Sequence, residues 1–139
     1  MRHRLAAVSA SVLLVLAGSV GVAQAEADSL YAPSALVLAI AQGDEQAAVL
    51  RASTLSCAPT AQGTHPDPEA ACAELAATSG SLDRLLVAPA PDRMCPLHYD
   101  PVTVFADGVW QGERIAWKHT FSNSCDLSVT LNGNTVFAF

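Results

Sequence analysis

VTVFADGVWQGERIAWKHTF, residues 102–121, is the stretch on which the fold turns. Val102 and Val104 alternate with Thr103 and Phe105, and further on Ile115, Trp117, His119 and Phe121 recur at every second position. Alternation rich in β-branched and aromatic residues marks strands with one buried face. Between the two runs stands Asp107-Gly108, a dipeptide that readily takes the positive φ angles of a two-residue hairpin turn. The stretch therefore predicts a hairpin turning at 107–108. Its return strand runs from Val109 and Trp110 to Phe121, with a bulge at Gly112.

Two further strands read nearer the N-terminus. Leu36, Leu38 and Ile40 alternate with Val37 and Ala39, and Gly43-Asp44-Glu45 interrupts them. Residues 49–55 then put Val49, Arg51, Ser53 and Leu55 on one side. Residues 58–68, rich in Pro, Gly, Thr and Asp, read as a loop. Asp67-Pro68-Glu69 is a helix start: a capping side chain, a proline where its missing N–H costs nothing, and an acid in the first turn. Cys72, Leu75 and Ala76 share a face, and Gly80 stops the helix. Ser81-Leu82-Asp83 begins a short second helix with Leu82, Leu85 and Leu86, ended by Pro89 and Pro91. Beyond residue 121, Asn132-Gly133-Asn134 turns the chain into a last strand, 135–139. The order β-β-α-α-β-β-β implies an α+β fold: a five-stranded antiparallel sheet with two helices packed on one face.

The N-terminus reads as a targeting segment rather than as fold. Arg2, His3 and Arg4 precede an apolar run from Leu5 to about Val22, and Ala23-Gln24-Ala25 has the small-x-small form of a cleavage site. Residues 1–25 are thus expected to be a secretory signal peptide and residues 26–139 one domain. The 139-residue chain carries a net charge of −6, and loss of Arg2 and Arg4 leaves it more acidic still. An acidic chain without a basic cluster is a poor partner for nucleic acid or an anionic membrane.

All four cysteines, Cys57, Cys72, Cys95 and Cys125, fall in the mature region. An even number in an exported chain argues for two disulfides, with three possible pairings. His65, His98 and His119 are scattered and there is no C-x-x-C pair, so no metal or cofactor is expected. The chain also has no G-x-S-x-G elbow, glycine-rich phosphate loop or H-E-x-x-H motif, which argues against an enzyme.

Residues 91–101, PDRMCPLHYDP, stand apart. Three prolines rule out a helix or a central strand. Met94, Leu97 and Tyr99 are nevertheless large apolar residues of the kind that usually hide in a core. Pro96 sets φ just before Leu97, Cys95 can tie the segment to the body, and Pro101 stiffens its far end. These features suit a segment offered to a protease as a ready-shaped, extended substrate, and on composition alone they suit more often a structural loop whose Leu97 packs inward.

At these residues the chain resembles the Streptomyces subtilisin inhibitor family. The resemblance is carried by SLYAPSAL (29–36), CAP (57–59), GTHP (63–66), ACAEL (71–75), MCPLHYDPV (94–102), DGVWQG (107–112), TFSNSC (120–125) and VFAF (136–139), in collinear order over nearly the whole mature chain. It implies disulfides Cys57–Cys72 and Cys95–Cys125. It implies a secreted inhibitor of serine proteases with its reactive bond at Leu97–His98 and with Met94, Cys95, Pro96 and Tyr99 touching the protease. Leu97 before the bond suits subtilisin-like enzymes, and chymotrypsin-like ones with an apolar pocket. The resemblance also implies a homodimer docked sheet to sheet, with Val37 and Trp110 as interface candidates, although Trp110 reads equally well as core. His98 departs from the small aliphatic residue common after the bond, and Trp117 from a frequent Tyr. The alternative is an extracellular binding or structural protein, such as a transglutaminase substrate using an exposed residue like Lys118.

Overall fold

The computed structural model describes residues 32–44 and 47–139. The signal peptide expected over residues 1–25 lies outside the described residues. Five antiparallel strands, β1 (Ser34–Gln42), β2 (Ala48–Ala58), β3 (Gln62–Gly63), β4 (Val102–Trp110) and β5 (Glu113–Phe121), lie in the order β3-β2-β1-β4-β5. Two α-helices, α1 (Pro68–Ala77) and α2 (Ser124–Thr130), and a 3-10 turn (Leu82–Leu85) complete the regular structure. Among the described residues no helix is long and apolar enough to cross a membrane.

The pleat sorts the side chains. Leu36, Leu38 and Ile40 of β1 lie beside Gly108, Ala106 and Val104 of β4 on one flank and Leu55, Ser53 and Arg51 of β2 on the other. This face forms the core with Ala71 and Leu75 of α1, Leu82 and Leu85 of the 3-10 turn, and Leu131, Val136 and Phe137 near the C-terminus. The opposite face carries Val37, Ala39, Phe105 and Asp107, and Val37 is half exposed. The Cys57–Cys72 disulfide joins the end of β2 to α1, and Cys95–Cys125 joins the proline-rich loop to α2.

Helix α1 begins as its sequence predicts. The Asp67 carboxylate accepts from the Ala70 N–H at 3.1 Å, and Pro68 fills the first position. At the other end the Gly80 N–H donates to Leu75 O and the Ser79 N–H to Ala76 O, the Schellman pattern that closes a helix through left-handed residues. Gly80, at φ +76°, also lies under Trp110, and a Cβ there would fall 2.6 Å from the indole Cγ. Gly80→Ala should therefore lower stability by about 2 kcal/mol or more, read by urea unfolding; an unchanged midpoint would contradict this packing.

Three elements differ from the sequence expectations. The hairpin turns at Gln111-Gly112, with φ of 49° and 83°, and not at Asp107-Gly108; Trp110 pairs with Glu113 across it. Gly108 instead lies inside β4, where β1 passes so close that a Cβ would sit 3.0 Å from Leu36 Cα. Gly112 is thus the turn and not a bulge.

The expected last strand, 135–139, forms no strand. The Thr135 and Val136 N–H groups donate to the Glu74 carboxylate of α1 at 2.7 and 3.1 Å, and the Phe137 N–H to Asn134 Oδ1. With these donors taken by side chains, the segment buries Val136 and Phe137 as irregular chain. The fifth strand is instead β3, a two-residue edge inside the expected loop 58–68, paired with Leu55 and Ser56. The second α-helix is α2, because the segment at Ser81 makes only a 3-10 turn. The fold class, five antiparallel strands with two helices and two disulfides, stands.

Candidate functional site

Between Leu85 and Val102 the chain has no helix or strand. Cys95 is half-buried in this loop, while Leu97 is fully exposed and Met94 and Tyr99 are 90% and 67% exposed. Water-facing apolar side chains of this size are unfavourable for the isolated protein and point to a partner.

The backbone beneath them is fixed. Cys95 is bonded to Cys125 in α2, with Cα atoms 5.7 Å apart. Asn123, 1% exposed, donates from Nδ2 to Pro96 O and to His98 O, each at 3.0 Å. One side-chain amide thus spans the Leu97–His98 peptide, holding the carbonyl before it and the carbonyl after it. The Asn123 Oδ1 accepts from the Asp126 N–H at 3.0 Å and caps α2. A side chain whose donors and acceptor are all engaged has little freedom, so the loop inherits the rigidity of the helix start.

Further support lies on the C-terminal side of the loop. The Asp100 N–H donates to Ser122 O at 2.9 Å. Ser122 is itself held by Asp126, whose carboxylate accepts from the Ser122 N–H at 3.0 Å and hydroxyl at 2.9 Å. These bonds from Ser122, led by the backbone N–H, keep the Asp126 carboxyl below its ordinary value against the opposing effect of burial; Thr130 and His119 add to the lowering. A lowered carboxyl stabilises the fold above its unfolded-state pKa, and that contribution is lost as pH falls through the lowered value. The stability gap between the protein and its Asp126→Asn variant should be constant above about pH 4 and shrink below it. A gap unchanged at pH 2, read by denaturant unfolding, would contradict this.

The comparisons with known proteins bear on this loop. A model of the subtilisin inhibitor-like family matches residues 32–123. The chain belongs to that family. It is 65% identical over 111 residues to subtilisin inhibitor-like protein 8 of Streptomyces virginiae, covering 78% of this chain and 100% of that protein. It is 47% identical over 147 aligned positions to the subtilisin inhibitor of Streptomyces violaceus, covering 100% of both. Among solved structures it is similar to Streptomyces caespitosus sermetstatin, determined in complex with Bacillus licheniformis subtilisin. There the identity is 60% and the TM-score 0.72, over 77% of this chain and 99% of that one.

In this subtilisin inhibitor-like chain, Met94, Cys95, Pro96, Leu97, His98 and Tyr99 all lie on the exposed loop. Cys57–Cys72 and Cys95–Cys125 are the disulfides, and no cysteine is free. The two interface candidates part company. Val37 faces outward from the open face, whereas Trp110 is 8% exposed on the core side under Gly80. Trp110 is a core residue because its position in β4 shares the pleat of Val102, Val104 and Ala106. Trp117 donates from its indole N–H to Asp83 Oδ1 at 2.9 Å. His65 is structural, bonded to the Asp67 N–H and to Val136 O.

Sequence reasoning missed Asn123 and Gln42. Asn123 had a readable signal, since Asn followed by a short polar run after a strand is a helix cap. Gln42 had none: its partners lie 58 and 59 residues away.

Proposed function

We propose that this chain inhibits subtilisin-like serine proteases by presenting residues 94–99 as a substrate-like strand, with Leu97–His98 as the reactive bond. The observation that carries the proposal is a fully exposed Leu97 on a backbone that Asn123 pins on both sides. The names of the relatives, subtilisin inhibitors, and of the sermetstatin–subtilisin complex support the same reading.

The mechanism follows from the geometry. The loop pairs with the substrate groove of the enzyme as an added strand, and Leu97 fills the specificity pocket. Because the loop already holds its shape, little ordering entropy is lost on binding. The enzyme's serine oxygen attacks the Leu97 carbonyl carbon, the bond to the His98 nitrogen breaks, and the enzyme's histidine delivers a proton to that amine. In an ordinary substrate the amine diffuses away and water completes hydrolysis. Here Asn123 and Cys125 hold both new ends. The amine therefore stays beside the acyl group, and religation competes with hydrolysis.

Leu97 suits enzymes with apolar pockets, subtilisin-like first and chymotrypsin-like second. Secretion is part of the same reading, supported by the signal-like residues 1–25 and by extracellular proteases as targets. We place the homodimer contact on the open sheet face, where Val37 is half exposed.

Titration of active subtilisin with the mature protein tests the function. One chain should abolish the activity of one enzyme molecule, with a sharp break at equivalence. Smooth digestion of the protein with no loss of activity towards a chromogenic substrate would refute it.

A further inference from the structure

The loop has a second anchor, at the end of β1. Gln42, the last residue of β1, donates from Nε2 to Asp100 Oδ1 at 2.7 Å and to Pro101 O at 3.0 Å. The Gly43 N–H donates to the same Pro101 O at 2.8 Å, and Gly43 O accepts from the Thr103 hydroxyl at 2.6 Å. Asp44 accepts from the Tyr99 hydroxyl at 3.3 Å. Three consecutive residues at the β1–β2 turn thus grip the C-terminal arm of the loop. The N-terminal arm is held from α2 instead, through Cys125 and the bond from Asn123 to Pro96.

The division matters once the reactive bond is cut. Cleavage at Leu97–His98 makes the two arms separate chain ends, and each keeps only its own anchors. The acyl arm ends at Leu97, two residues from Cys95, and stays covalently fixed. The amine arm begins at His98 and enters the sheet only at Val102, so residues 98–101 are held in place by hydrogen bonds. Those from Asn123 to His98 O and from the Asp100 N–H to Ser122 O come from the α2 side. Gln42 supplies two more, one of them to a carboxylate, which makes it stronger than a neutral bond. Its own backbone is paired to Val102 on one side and Ala48 on the other, so the side chain reaches out from the middle of the sheet.

We infer that Gln42 is a positioning residue that keeps the leaving amine of His98 in reach of the acyl group, and so sets how long the protease complex survives. The inference rests on Leu97–His98 being the reactive bond. Its effect falls on the cleaved state more than on the intact one, because the intact arm is also held through Leu97 to the Cys95 anchor.

The test compares the protein with Gln42→Ala and Asp100→Asn. Three quantities are read: the initial inhibition constant for subtilisin, the rate at which protease activity returns on long incubation, and the unfolding temperature. Gln42→Ala should leave initial inhibition within about threefold and speed the return of activity about tenfold, the loss of a hydrogen bond to a charged group. Asp100→Asn keeps an Oδ1 acceptor for the same N–H but loses its charge, so activity should return at a rate between those of the parent and Gln42→Ala. A Gln42→Ala complex as durable as the parent's would overturn the inference. So would parallel falls in initial inhibition and unfolding temperature, which would make Gln42 a general structural residue. Peptide mapping of the parent separates the two claims. A parent cut elsewhere than Leu97–His98 defeats the reactive-bond reading and the inference with it. A parent cut there, with an unaffected Gln42→Ala, defeats the inference alone.

Discussion

Leu97→Lys should weaken subtilisin inhibition by about thirtyfold or more and create inhibition of trypsin. The figure follows from truncating or mismatching a central anchor residue, which costs about 2 kcal/mol or more at an interface. Leu97 is fully exposed, so nothing in the free protein depends on its side chain. Its backbone is set by Pro96, by the Cys95–Cys125 disulfide and by Asn123, none of which the substitution touches. Folding stability should accordingly change by no more than about 0.5 kcal/mol. A lysine on the same backbone meets an apolar pocket in subtilisin, where its charge is desolvated without a partner. In a trypsin-like pocket the same ammonium meets a carboxylate. Inhibition constants for the two enzymes decide it, and values unchanged for both would remove Leu97 from the site.

Asn123→Ala should convert a durable inhibitor into a short-lived one. The substitution deletes the bonds to Pro96 O and His98 O and the cap on α2 together. The cap is worth about 1 kcal/mol and each neutral hydrogen bond about the same, so stability should fall by about 2 to 3 kcal/mol. The functional loss should be larger than stability explains, with protease activity returning at least about tenfold faster. Asn123→Asp separates the two roles. An aspartate still caps the helix, and it also suits a helix N-terminus. It has no N–H to donate, however, and sets a carboxylate against two carbonyl oxygens. It keeps the cap but gives up both loop hydrogen bonds and buries a carboxylate against carbonyl oxygens, so it should lose the durability and about 2 kcal/mol or more of stability. A long-lived Asn123→Asp complex would show that the amide does not hold the loop.

What could be read from the sequence follows a physical division. β1 was legible because residues 36–40 alternate, and burial of one face imposes that alternation; in β2 only Ser53 and Leu55 of residues 49–55 are buried, and a register shift pairs Arg51 with Ile40 but Val49 with Ala41. The start of α1 was legible because Asp67-Pro68 acts on its own local backbone. The turn was misplaced because Asp107-Gly108 and Gln111-Gly112 both permit positive φ, and only the close passage of β1 explains why Gly108 stays in a strand. Residues 135–139 look like a strand in isolation, but Glu74, from another element, takes two of their N–H groups. The loop around Leu97 was visible through its misplaced apolar residues and prolines. Its supports were not, since Gln42 and Asn123 act across long stretches of chain. Trp110 shows the same limit from the other side: an aromatic on a strand can face either way, and the pleat of β4 turns it inward.

The most direct test of the central claim is the product formed when the mature protein is left with a trace of subtilisin. One cut is expected, between Leu97 and His98. The two fragments should stay joined through Cys95–Cys125 and separate only on reduction, with His98 as the new N-terminal residue. A first cut at any other bond, or digestion to small peptides without a two-chain intermediate, would contradict it.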